Sequence, residues 1–190
     1  MSAKYDGDTS KEHDLTSPLQ KLALILTLTA APFMALAQTP APPASPILAA
    51  AEAGKILPPS VYFRGQSAPI QARNSGGVRF SKEAIMFATL VDTSGYSTQV
   101  QEKYQAYLIT ETPLSIDGHR LPPGAYGVGF IANDTFIVMD IGGHDLFTAH
   151  STKDTTLRRP TPLQILPAPN DPDHYRLYEG RTFVNFSQAR

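Results

Sequence analysis

Residues 125–131 read Ala-Tyr-Gly-Val-Gly-Phe-Ile, and this stretch carries the plainest statement about fold in the chain. On an extended backbone Tyr126, Val128 and Phe130 fall on one side, and Ala125, Gly127 and Gly129 fall on the other. A pleated strand sorts these residues into one bulky face and one bare face; a helix would scatter both sets. The bare face is a trough of exposed backbone with two readings. Either a large side chain from a neighbouring layer lies across it and offsets the weak strand propensity of glycine, or a ligand does. Gly127 and Gly129 are therefore candidate ligand contacts as well as packing positions.

The same texture extends in both directions. Residues 84–91, AIMFATLV, are apolar on both alternating sets, which predicts a central strand covered on both faces. Residues 135–141 behave alike, with Ile137, Met139 and Ile141 on one side and Phe136 and Val138 on the other. Further strands are expected at 61–64, 70–73, 104–110, 114–116, 163–166, 175–178 and 182–186, the last two closing a hairpin across Gly180. Turns are read at Ser75-Gly76-Gly77, Asp117-Gly118, Pro122-Pro123-Gly124, Asn133-Asp134 and Gly142-Gly143. No apolar set repeats at helical spacing over three turns. Only 98–104 suggests a short helix, with Thr98 and Gln101 placed as a capping box. The expected class is all-β, an antiparallel β-sandwich or a partly closed barrel.

The segment Ile116-Asp117-Gly118-His119-Arg120-Leu121-Pro122-Pro123-Gly124-Ala125-Tyr126 resembles the strand, tight turn and L-P-x-G-x-Y strand element of secreted bacterial β-sandwich proteins, prealbumin-like modules among them. The resemblance covers about a dozen residues. It implies a sandwich fold and a role in binding, adhesion or scaffolding, and it carries no site residues across. The residues give a local reason for the motif. Prolines 122 and 123 preset φ, Gly124 permits the reversal, and Tyr126 drops into the core.

Towards the N-terminus the character changes twice. Residues 22–36, LALILTLTAAPFMAL, follow Lys21 and lead into Ala35-Leu36-Ala37 ahead of Gln38, the pattern of a secretory signal with small residues at positions −3 and −1 before the cleavage point. Fifteen helical residues span about 22 Å, short of the ~30 Å hydrocarbon core, so a cleaved signal is favoured over a permanent span. The polar, acidic segment ahead of it does not suit a signal; translation from Leu19 would give an ordinary opening. Residues 38–59 contain six prolines and read as an extended linker, with one or two helical turns near 48–53. The expected organisation is signal 1–37, linker 38–59 and a β-sandwich domain at 60–190, in an exported protein of the periplasm or the extracellular space.

Composition removes several chemistries. There is no Cys and no Trp, which excludes thiol catalysis, thiolate metal sites and disulfides. The chain after residue 37 balances 13 basic against 13 acidic residues, so no basic stripe invites nucleic acid. No G-x-S-x-G elbow, S-x-x-K signature or phosphate-binding glycine loop occurs. Catalytic residues are accordingly not assigned.

Two candidate sites stay open. Arg64, Arg73 and Arg79 flank the first hairpin arms and are placed to grip a carboxylate or phosphate bidentately, or simply to protect strand edges. Asp140, His144 and Asp145 surround the Gly142-Gly143 turn and offer oxygen and nitrogen ligands to a divalent metal, with His119 or His150 completing the set. The alternative is a hairpin tip whose carboxylates cap backbone N–H groups. The leading expectation is a non-catalytic binding or interaction module of the cell envelope, without a cofactor, whose ligand or envelope partner is unknown. The alternative is a metal-binding protein or metal-assisted hydrolase.

Overall fold

Ile85–Val91 (β4) does become a doubly covered strand, and the rest of the fold is arranged around it. The structure, a computed structural model, describes residues 46–190, so the signal read at 1–37 lies outside the described residues. Within them the order is β1 (Ile47–Leu48), α1 (Ala50–Ile56), β2 (Ser60–Phe63), β3 (Gln66–Arg79), β4, α2 (Thr98–Gln101), β5 (Ala106–Thr110), β6 (Leu114–Ile116), β7 (His119–Leu121) and β8 (Gly124–Ile131). There follow β9 (Thr135–Met139), β10 (Asp145–His150), β11 (Thr152–Lys153), β12 (Leu163–Ala168), β13 (Asp171–Glu179) and β14 (Thr182–Gln188). All pairings are antiparallel. They form an eight-stranded sheet, β1-β3-β4-β5-β8-β9-β10 with β2 on β3, and a six-stranded sheet, β12-β13-β14-β6-β7 with β11 on β14.

The alternation along each strand decides what lies between the sheets. From the first sheet Val78, Met86, Ala88, Leu108, Tyr126, Val128, Phe136 and Val138 meet Leu114, Ile116, Leu121, Ile165, Leu177, Val184 and Phe186 of the second. The opposite face of the first sheet is also covered. Phe63, Tyr96, Val100, Tyr104, Ile137 and Met139 form a second cluster under the β2–β3 hairpin and α2. Two sheets packed over a shared core, neither closed on itself, make the sandwich rather than the barrel.

Three expectations are corrected. The stretch read as a linker belongs to the domain from Ile47 onward: β1 pairs with β3, and α1 buries Ala53 with Leu48 and Leu57 against Phe87. Small alanines allow that close approach, and proline content hid it. Ser75-Gly76-Gly77 is not a turn but the middle of β3, paired with Thr89, Ala88 and Phe87 of β4. A Cβ on Gly77 would sit 2.7 Å from the Met86 carbonyl oxygen, so these glycines serve tight packing. The short helix at 98–101 is capped from Ser97, with no side-chain cap bond, instead of from Thr98. Four short strands, β1, β7, β10 and β11, lacked enough alternation to be read.

Candidate functional site

The second sheet places one polar row that no local motif announces. His174 of β13 lies opposite Ser187 of β14, Ser187 lies opposite Ser115 of β6, and Ser115 lies opposite Arg120 of β7. Direct cross-strand partners share a face. Their chain neighbours Tyr175, Phe186, Ile116 and Leu121 are buried in the core, so the row points away from it. Three strand spacings separate its ends, about 14 Å. The register is pinned by the two-residue turn Asp117-Gly118, with φ of 46° and 85°, between β6 and β7.

All four residues line an open cleft of about 1010 Å³. Arg79 and Phe80 join it from the first sheet, and the Phe80 ring meets Tyr175 edge-on at 5.7 Å. Tyr175 in turn packs on Phe186 at 5.6 Å, carrying the cleft wall into the core. At the β13 side His174 Nδ1 lies 2.7 Å from Asp171 Oδ2, and this hydrogen bond holds the Asp171 carboxyl below its ordinary value. Asp173 adds a second carboxylate there. At the β7 side Arg120 Nη1 donates to the main-chain oxygen of Arg190 at 2.9 Å. That bond fixes the guanidinium plane and leaves most of its five donors free. The hydroxyls of Ser115 and Ser187 and the guanidinium groups of Arg79 and Arg190 have no partner among the described residues.

The expected arginine grip does not form. Only Arg79 lines the cleft. Arg73 is exposed in the irregular stretch of β3 between Ile70 and Ser75. Arg64 stands at the far end of β3, in the β2–β3 turn, where its N–H donates to the Ile141 carbonyl at 2.8 Å and its side chain packs beneath Gly143. It lines a separate pocket of about 250 Å³ with Lys103 and Met139. The glycine trough is filled by the chain itself: the Phe63 ring lies over Gly127, and the Lys103 carbonyl lies over Gly129.

The metal arrangement also does not assemble. His144 Nδ1 is 2.9 Å from Asp140 Oδ2, and Asp140 Oδ1 accepts the His144 N–H at 3.0 Å. These bonds lower the Asp140 pKa and close the Gly142-Gly143 turn. Asp145 turns to Lys103, 2.7 Å away. His119 stacks on Phe147 at 4.8 Å, and His150 gives only its backbone N–H to Asp117. Among the described residues no three His, Asp or Glu side chains come together to hold a metal ion. The Asp140 carboxylate caps the hairpin tip, as short polar side chains do in tight turns.

Sequence reasoning missed Ser115, Arg120, His174 and Ser187 as a group because they come from four strands. Their only local signal is alternation with core residues, which marks the face and not its neighbours. No family model matches the chain, and neither a curated protein nor a solved structure matches it. What fold and site define is a class: an all-β, two-sheet protein with an open polar cleft on rigid strands.

Proposed function

We propose that this chain is an exported cell-envelope protein that acts as a non-catalytic binding module, with its ligand seated in the cleft over the His174–Ser187–Ser115–Arg120 row. The observation that carries the reading is that row: two hydroxyls without partners among the described residues and a guanidinium with donors to spare beyond its one bond to Arg190, held in register on paired strands. Unsatisfied donors on a rigid scaffold favour recognition of a polar ligand. Three arginines against two aspartates bias the cleft towards ligands carrying negative charge.

One arrangement favours a second reading. His174, oriented by Asp171, stands beside Ser187, the pairing of base and orienting acid used in serine hydrolysis. No hydrogen bond joins His174 to Ser187, and binding is therefore preferred over catalysis.

The reading is tested by titrating ¹⁵N-labelled protein with size-fractionated envelope extract. Amide shifts at Ser115, Arg120, His174 and Ser187, abolished in Arg120→Ala while the fraction keeps its mass, are expected. A dispersed spectrum unmoved by every fraction would overturn it, and a mass change lost in Ser187→Ala would move the assignment to hydrolysis. Export rests on the apolar run 22–36 and the Ala35 and Ala37 spacing; N-terminal sequencing of exported protein should begin at Gln38.

A further inference from the structure

The cleft is electrically lopsided along the row. On the β13 side one arginine, Arg79, stands with two carboxylates, Asp171 and Asp173, and with His174. Phe80, next in the chain to Arg79, touches Tyr175 of β13, which brings the Arg79 backbone near that side. On the β7 side Arg120 donates to the main-chain oxygen of Arg190, and both residues line the cleft. Between the two sides lie only the serine hydroxyls, the row being His174, Ser187, Ser115, Arg120 across adjacent strands. A ligand that satisfies this pattern is negative at one end, positive at the other and hydrogen-bonding between.

The span sets its length. About 14 Å separates the row's ends at three strand spacings. An extended chain advances roughly 3.3–3.6 Å per residue, so about four residues bridge the two sides. Resting on the binding reading above, we infer that the cleft takes a short peptide of about four residues with both ends free. Its carboxylate lies on Arg120 and Arg190, its amino group lies against Asp173 and Asp171, and its backbone amides lie over Ser115 and Ser187. A saccharide acid is the competing ligand, and its charge argues against it: it brings a carboxylate for Arg120 and no positive end for the carboxylates of the β13 side.

The probe is tetra-alanine with free termini, titrated into the full ¹⁵N-labelled chain alongside dialanine, N-acetyl-tetra-alanine, tetra-alanine amide and galacturonate. Tetra-alanine is expected to shift the amides of Ser115, Arg120, His174 and Ser187, and dialanine to bind at least about tenfold more weakly because it cannot reach both sides. Blocking the amino end should weaken binding about tenfold, and Asp173→Asn should produce the same loss with no further effect of acetylation. Blocking the carboxyl end and Arg120→Gln should be linked in the same way. Both residues are exposed, so the variants should keep dispersed spectra. Equal affinity for the free and acetylated peptides would overturn the proposal, as would the absence of shifts with tetra-alanine. Shifts with galacturonate alone would overturn the peptide and leave the cleft as a binding site.

Discussion

Gly127 shows what a single missing side chain does here. The Phe63 ring occupies the space a Cβ would need, and it stacks on Tyr104 at 3.9 Å and 19°. Gly127→Ala should therefore cost ~1–3 kcal/mol by overpacking, read as a lower urea midpoint at unchanged slope. Tyr104 is fully buried, and its hydroxyl has no partner among the described residues. Burial pushes its phenol pKa well up. Tyr104→Phe removes an unsatisfied buried oxygen and keeps the stack, so it should raise stability by about 1 kcal/mol in the same measurement. Glu179 lies at the core-facing end of β13, in line with Tyr175 and Leu177, and burial lifts its pKa from 4.5 to about 7. The folded state then binds its proton more tightly than the unfolded state does. Its contribution is complete below about pH 4.5 and falls away as pH rises through 7. Denaturant midpoints between pH 4.5 and 7.5 should decline for the natural chain, and Glu179→Gln should flatten that decline.

At the scale of elements, the most instructive pieces are α1 and the middle of β3. In both, Pro, Gly and Ala suggest linker or turn along the chain, although a helical turn or two is expected near 48–53. α1 sets Ala53 and Leu57 on Phe87, while Gly77 of β3 lies against the same ring from the neighbouring strand. Small residues are what allow a helix and a strand to approach a phenylalanine this closely. Phe87 is thus the point where the outer layer is fastened to the first sheet. Phe87→Ala should cost ~3–5 kcal/mol by calorimetry or chemical denaturation. A loss below about 1 kcal/mol would show that α1 does not pack there. The strands themselves were legible where both alternating sets were strongly apolar, as in β4 and β9. They were missed where burial was one-sided or the strand ran only two or three residues, as in β1, β7 and β11.

On the scale of the molecule, the chain weaves the two sheets into one unit. β6 and β7 leave the first sheet between β5 and β8, and β6 pairs with β14 near the end of the sequence. β10 belongs to the first sheet, while β11, which follows it almost at once, belongs to the second. The strands of the two sheets are interleaved along the chain, β6 and β7 falling between β5 and β8. Unfolding followed by far-ultraviolet circular dichroism and by tyrosine fluorescence should give coincident transitions. Separated midpoints would mean that the sheets melt independently.

The sequence by itself determined that this is an all-β chain and which residues face a core, because side-chain alternation at a period of two is a local property that each strand carries alone. It also confined the chemistry, through the lack of cysteine and the balanced charge. Only the tertiary structure decided the partners of each strand, and with them the fate of every candidate residue. Asp140 and His144 are neighbours in the chain and satisfy each other, whereas Ser115 and Ser187 are far apart in the chain and lie side by side. Register between distant strands depends on packing the whole core at once, and that is why the polar row across β13, β14, β6 and β7 exists in the fold and is invisible along the chain.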